Sequence, residues 1–416
     1  MDTPHRIAVI TMGVKLGDET KGYTRFLTLA EQLAASGFDV DLITSSFQHW
    51  EKAQRDTASI AYSRYPFRVV FIEEPGYERN IDLKRVRSHS IAAKNLRILL
   101  EANRTGTKPY DLIYCEIPPN NVARIAAEHA ARENIPFVVD VNDLWPEAMR
   151  MVMDIPLVSS VLFYPLARDA RSTYRLVSAV VGTSDEYAAH PFAISAPDVE
   201  RVTVYVGGDK QAFDAGAQAH ASQIDKPASA FWVTYAGTLG ASYDLATLVT
   251  AASILKNQGF DSLRILIVGD GPDRSSLQAL AEQLAAPVDF LGYRPYEEMA
   301  AWLVASDVLV NSLVRKAPQS IVNKIGDYLF AGRPMINTGS SAELRNLVVT
   351  ERVGFNVVAE DTNLLAECIQ RLADDPPMRI SMGLAARILA EKRFDRTCSY
   401  QAITDLIDRL LKSKGE

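Results

Sequence analysis

Short runs rich in Val, Ile and Leu alternate with helix-patterned stretches along nearly the whole chain, and this rhythm restricts the fold more than any other feature. It begins with a strand-like run, Arg6–Thr11, then a glycine-containing loop, a helical pattern over Thr24–Ser36 that stops at Gly37, and a second β-branched run, Val40–Thr44. Strand, crossover helix, strand is the unit that builds parallel sheets, because parallel neighbours cannot be joined by a tight hairpin. Further strands are predicted at Arg68–Ile72, Leu112–Cys115, Pro136–Val141 and Ala179–Gly182. Residues 215–230, rich in small and polar side chains, read as a loop region near a domain boundary. The rhythm then restarts, with strands predicted at Trp232–Ala236, Leu263–Val268, Val288–Leu291, Val308–Asn311 and Pro334–Asn337 and helices at Leu245–Lys256 and Arg274–Ala285.

At 416 residues the chain exceeds one ordinary core, and at roughly 150 residues per domain two domains are expected. The reading is α/β: two Rossmann-like, doubly wound domains at 1–205 and 206–389, facing a central cleft. A helix over 390–416 returns to the first domain or packs across both. In such sheets ligands sit beyond the carboxyl ends of the strands.

A net charge of −7 supplies no global positive field, so nucleic acid is not expected as a partner. Three scattered cysteines and six histidines without ligand spacing predict neither a disulfide framework nor a metal site, and the reducing cytoplasm is the expected compartment. The opening MDTPHRIAVITMG lacks a signal-peptide pattern, and no run of 18 apolar residues is present, so the chain is expected to be soluble or held only at the inner membrane surface. The stretch 84–104 carries the membrane expectation. As a helix it places Arg87, Lys94 and Arg97 on one side and Ala92, Leu96 and Leu99 on the other, which suits anionic headgroups; a merely solvated face is the competing reading.

Gly269, Gly271 and Pro272 in IVGDGPDRSSLQALAEQL fall between a strand and a helix, where backbone amides at a helix N-terminus could receive phosphate; a ligand-free tight turn is the alternative. A set of segments around and beyond this turn is more specific. The order and spacing of VGDGP, FLGY, ASDVLVNS and DYLFAGRP resemble the nucleotide-binding lobe of glycosyltransferase family 4, retaining enzymes of the GT-B fold. Looser landmarks, VNDLWPE (Val141–Glu147), VGTSDEY (Val181–Tyr187) and VYVGGDKQAF (Val204–Phe213), extend the resemblance over nearly the whole chain.

The resemblance implies that 1–205 is the acceptor domain and 206–389 the nucleotide-sugar domain, with Gly237, Gly269 and Gly271 at the donor; it implies a nucleoside-diphosphate sugar as donor substrate, no cofactor, no metal, and a hexosyl or N-acetylhexosaminyl group moved to a lipid-linked or polysaccharide acceptor in cell-envelope polysaccharide biosynthesis. Counted back from Gly332, the second family acid falls at Asp327, whose carboxylate would accept from the ribose hydroxyls. The first family acid falls at Gln319, which is neutral, so the resemblance places a catalytic-position residue there that hydrogen-bonds a sugar without charge. In TYAGTLGASYDL the Arg/Lys pair of many members is missing around Gly237, which leaves Lys324 as the diphosphate cation, with Arg315 and Lys316 as competitors. Gly22 stands where the family brings a glycine-rich loop to the donor phosphates, and Asn142 and Asp143 where it has polar groups near the donor sugar; Trp145 reads as packing. Two alternatives of other kinds remain: a sugar-nucleotide 2-epimerase of the same fold, or a non-catalytic nucleotide-sugar-binding homologue.

Overall fold

The computed structural model describes residues 4–17, 19–20, 22–80, 82–104, 106, 108–150, 158–316 and 321–413. Residue contacts divide the chain into two compact units, Met1–Val204 with Tyr400–Glu416, and Tyr205–Ser399.

The first unit is built on a seven-stranded sheet. Its strands are β1 (Arg6–Ile10), β2 (Asp39–Ser45), β3 (Arg68–Ile72), β4 (Leu112–Ile117), β5 (Phe137–Val141), β6 (Ala179–Gly182) and β7 (Glu200–Thr203), in the order 3-2-1-4-5-6-7 and parallel throughout. Ile7 to Ile10 are fully buried, as a strand covered on both faces requires. Helix α1 (Arg25–Ala35) buries Phe26, Leu29, Ala30 and Leu33, one stripe at three- and four-residue spacing, and ends before Gly37, whose φ of +93° only glycine adopts without cost. The chain's last described helix, Gln401–Ser413, adds Ile403, Leu406, Ile407 and Leu411 to the same core cluster as Phe26 and Leu33.

The second unit repeats the winding. Strands β8 (Phe231–Ala236), β9 (Leu263–Val268), β10 (Val288–Gly292), β11 (Val308–Asn311), β12 (Met335–Asn337) and β13 (Gly354–Asn356) lie in the order 10-9-8-11-12-13, again all parallel. Counted within the unit this is also 3-2-1-4-5-6, and both sheets reverse direction of winding beside their first strand.

Four stretches differ from expectation. Residues 215–220 belong to a helix, Lys210–His220, started by Asp209, whose Oδ1 accepts the Ala212 amide at 2.9 Å. Its Gly216 is no breaker: a Cβ there would lie 2.7 Å from the Cα of Glu297, so the glycine permits a close crossing of two helices. The tail over 390–413 is not one helix. A π turn at Ala390–Phe394 and a short helix at Arg396–Ser399 flank Asp395, whose bridge to Gly208 holds that stretch in the second unit before the final helix begins. The short edge strands β7 and β13 were not expected, because ERVT and GFN carry too little apolar alternation.

The first unit is fastened by a buried ion pair. Arg25, 1% exposed, donates from Nε and Nη2 to the two oxygens of Asp140 at 2.9 and 3.1 Å, and Tyr114 donates to Asp140 at 2.7 Å. Nη1 reaches the Val204 carbonyl at 3.0 Å, and the guanidinium lies over the ring of Tyr400. One side chain thus ties α1, β4, β5 and the returning tail. Removing one partner of such a pair strands the other's charge and costs about 3–5 kcal/mol. Asp140→Ala is therefore expected to lower unfolding free energy by that amount in urea titration; a loss under about 1 kcal/mol would contradict this role.

Candidate functional site

In a doubly wound sheet the crevice opens where the winding reverses, at the carboxyl ends of the first and fourth strands. In the second unit these are β8 and β11. Gly237 follows β8 at φ +148° and Gly269 follows β9 at φ +142°. Their loops interlock: Leu239 donates to the Asp270 carbonyl at 3.0 Å and Asp273 donates back to the Leu239 carbonyl at 3.2 Å. A Cβ on Gly269 would lie 1.9 Å from the Gly237 oxygen, and one on Gly271 would lie 2.1 Å from the Leu239 oxygen.

The amides of these glycines are engaged. Gly237 donates to Val268, Gly269 to Gly292, and Gly271 to the Asp270 carboxylate. Gly269 and Gly271 let two backbones touch there, and their own amides are taken by protein oxygens.

The space beside Gly237 holds an amine. The Nζ of Lys324 lies 2.6 Å from where a Cβ of Gly237 would stand. It is buried and makes no hydrogen bond with the described residues, and the rings of Tyr235 and Tyr243 flank it with centroids at 4.1 and 4.2 Å. Ring faces partly replace water around an ammonium, but burial wins and lowers the Lys324 pKa to about 7. One turn on, Asp327 accepts a hydrogen bond from the Tyr296 hydroxyl at 2.8 Å through Oδ1, and its Oδ2 takes none from the described residues. Burial raises Asp327 to about 6, against the pull of that hydrogen bond and of Arg396. Gly208 completes this corner: a Cβ on it would come within 3.4 Å of Asp327 Oδ1.

The competing cations are placed differently. Arg315 is exposed and paired with Glu360 at 3.6 Å, and Lys316 is exposed. Gln319 lies outside the described residues. A larger cavity of about 580 Å³, lined by 226–231 and Asp307, opens at the amino ends of the strands, on the edge where strand topology places no ligand.

In the first unit the reversal lies between β1 and β4, and there Glu116 bridges the two strands. Its Oε2 accepts from the Thr11 hydroxyl at 2.6 Å and the Met12 amide at 3.1 Å, while Oε1 takes no hydrogen bond from the described residues. Burial lifts this carboxyl to about 7. It stands on a cavity of about 260 Å³ that Gly13, Trp50, Asn142, Asp143 and Trp145 also line. Trp50 fills the side-chain space of Gly13 and Gly22, at 3.0 and 3.1 Å from where their Cβ atoms would be. At Gly22, whose φ of +131° itself favours glycine, a Cβ would also meet the Lys15 Cβ at 3.0 Å. Asn142 donates to the Asp140 carbonyl; Asp143 accepts from the Leu144 amide and from Trp145 Nε1 at 3.0 Å, which pins the indole to the cavity wall. Trp145 is thus a lining residue as well as packing.

Six residues here lay outside the sequence reading: Glu116, Trp50, His49, Tyr77, Arg85 and His89. Only Glu116 carried a usable signal, an acid at the carboxyl end of a predicted strand. On helix α2 (Leu83–Arg104), Arg87, Lys94 and Arg97 are exposed while Ala92 and Leu96 are buried, with Leu83, Val86 and Ile98 exposed among the cations. No described helix is long and apolar enough to cross a membrane, and no described cluster of three metal-ligating side chains is present.

Comparison with known proteins gives the same two-part division. Residues 23–207 match the model "Glycosyl transferase 4-like domain" and residues 230–375 match "Glycosyl transferases group 1". A Corynebacterium glutamicum GDP-mannose-dependent monoacylated alpha-(1-6)-phosphatidylinositol monomannoside mannosyltransferase is 31% identical over 150 residues, 35% of this chain and 38% of that protein. A Rhizobium meliloti lipopolysaccharide core biosynthesis glycosyltransferase, LpsD, is 29% identical over 191 residues, 45% of this chain and 52% of that one. The chain thus spans about half the length, or less, of these curated relatives. The structure of Anabaena HepE in complex with UDP shares the fold at a TM-score of 0.67 and 16% identity, over 97% of this chain and all of that one.

Burying the Lys324 amine has a measurable cost. Its folded pKa lies below the ordinary 10.5, so stability is lost as pH falls from about 10.5 to about 7 and stays lost below. Lys324→Met is expected to raise the melting temperature at pH 7 by at least about 2 °C; an unchanged or lower value would contradict the buried, unpartnered amine.

Proposed function

From the chain's membership in the family-4 type of GT-B glycosyltransferases, we propose that it moves a hexosyl or N-acetylhexosaminyl group, with retention, from a nucleoside-diphosphate sugar to a lipid-linked or polysaccharide acceptor. The observation that carries the reading is Lys324: a buried amine with no hydrogen-bond partner among the described residues, one turn before Asp327 at the winding reversal. An unpartnered buried amine in a crevice can gain its proton and its partner together when an anion binds, and a departing diphosphate needs such a charge aimed at it. Asp327 offers its second oxygen to the ribose hydroxyls. The UDP of HepE and the names of the two relatives support a nucleoside diphosphate on one side and a lipid-linked glycan on the other. In the retaining course the diphosphate leaves and the acceptor oxygen arrives on the same face, so the leaving group itself can take the acceptor's proton, and no protein nucleophile is called for.

Binding of UDP or GDP at pH 8 will return Lys324 toward its ordinary pKa. Nearly one proton per nucleotide should be taken up, read as a dependence of calorimetric heat on buffer ionisation enthalpy. Lys324→Met should abolish the uptake, and with Asp327→Ala it should weaken nucleotide binding by about tenfold or more. Wild-type binding without proton uptake removes the Lys324 assignment. Nucleotide binding with no transfer, across a panel of donors and lipid-linked acceptors, returns the non-catalytic reading.

We also propose that the outer face of α2 rests on anionic lipid, supported by Arg87 and Lys94 lying exposed beside Leu83, Val86 and Ile98. The chain should float with phosphatidylglycerol vesicles and not with phosphatidylcholine ones, and Arg87→Glu with Lys94→Glu should abolish flotation. Equal flotation with both lipids would defeat the electrostatic part.

A further inference from the structure

Helix α3 (Pro376–Leu389), in the second unit, is apolar on two opposite sides. Its inner side buries Gly383, Ala386 and Leu389, and a Cβ on Gly383 would lie 2.3 Å from the Gly332 oxygen, a backbone contact that fixes the helix's rotation. Its outer side carries Ile380, Leu384 and Ile388, one per turn, exposed to 61, 62 and 66%. Single exposed apolar side chains are ordinary on a protein surface, but three in register along one face make a patch. A helix apolar on both sides is built for burial on both, and the described residues cover only one of them.

The charges around the stripe indicate what covers it. On one flank Arg387 and Glu391 are satisfied within the chain: Arg387 donates to the two oxygens of Asp214 at 2.7 and 2.6 Å and to Glu391 at 2.9 Å, and Lys210 pairs with Glu391 at 3.6 Å. Lys392, just past the carboxyl end, and Asp374, the last residue of the preceding helix, are exposed and make no ion pair among the described residues. Anionic lipid suits the outer side of α2, where Arg87 and Lys94 stand among the apolar side chains; beside this stripe it would meet the carboxylates of Asp374 and Glu391. A second copy of the chain fits at both ends. Laid antiparallel about Leu384, two copies bring Ile380 of one against Ile388 of the other. Lys392 and Asp374 stand roughly 12 and 15 Å to either side of Leu384 at about 1.5 Å per residue, so the Lys392 of each copy comes level with the Asp374 of the other. A parallel pair would set like charges together.

We propose that the chain forms a twofold dimer in which the outer sides of α3 pack antiparallel, Leu384 against Leu384 at the centre and Lys392 against Asp374 at each end. Such an interface is self-complementary and closes at two copies. It is independent of the transferase reading. One helix face lies at the small end of specific interfaces, so the dimer is weak and forms and parts with concentration.

Sedimentation velocity on the full chain, over a roughly hundredfold range of concentration up to about 100 μM, tests the pairing. The sedimentation coefficient should climb from that of a monomer toward that of a dimer. Leu384→Glu places a charge at an exposed position, so it should leave the melting temperature unchanged and keep the chain monomeric throughout. Lys392→Glu and Asp374→Lys should each weaken association about tenfold, because each contact occurs twice in the dimer, and the two together should restore most of it. A wild type that stays monomeric, a dimer indifferent to Leu384→Glu, or a charge exchange that restores nothing overturns the proposal. So does flotation with phosphatidylcholine vesicles that Leu384→Glu abolishes, which would give the stripe to lipid.

Discussion

Parallel strands cannot be joined at one edge, so each must hand its chain to a crossover and every strand releases it at the same edge of the sheet. The chemistry of both units depends on that constraint. Thr11, Glu116 and Asn142 stand at the ends of three strands of the first sheet, and Gly237, Gly269 and Ser312 at the ends of three of the second, although each set is scattered over tens of residues of chain. The reversal of winding opens the edge in both sheets between the first and fourth strands, and Glu116 in one unit and Lys324 in the other stand beside that opening.

The glycines of the second unit gain their meaning from this crowding. Gly237, Gly269 and Gly271 give their amides to neighbouring backbone or side-chain oxygens, so they act by what they lack. Without a Cβ, two loops interlock, and the same missing atom at Gly237 leaves room for the Lys324 ammonium. The space left at Gly237 is taken by the Lys324 amine, and no Arg/Lys pair follows β8.

Much of the fold was legible because it is written in local patterns. Each long apolar run became a strand within a residue or two, and the restart after Ala230 marked a second sheet. The misread stretches depended on distant partners: 215–220 looked like loop until Gly216 met Glu297, and the tail looked like one helix until Asp395 met Gly208. The site divided in the same way. Lys324 and Asp327 could be found by counting within one segment, one turn apart on one helix. The rings around the first unit's cavity could not, because Tyr23, His49, Trp50, Tyr77, His89 and Trp145 come from five separate stretches brought together only by the sheet, and no window of sequence contains two distant rings. Glu116 lay between: the strand before it was readable, but its place at the winding reversal needed the strand order.

The ionisable groups inside the two units fall into two kinds. Arg25 and Asp140 satisfy each other through two hydrogen bonds, with Tyr114 and Val204 taking up further capacity, and the guanidinium is held charged well above its ordinary range. Lys324, Asp327 and Glu116 are each left a partner short, and burial pushes each toward its neutral form, to about 7, 6 and 7. A group built only to hold the fold would be expected to resemble the first kind, since an unpartnered buried charge costs stability and returns nothing. Groups of the second kind keep open a hydrogen bond or a charge that a ligand can complete. All three stand at the carboxyl edges of their sheets, while the closed network of Arg25 sits in the core of its unit.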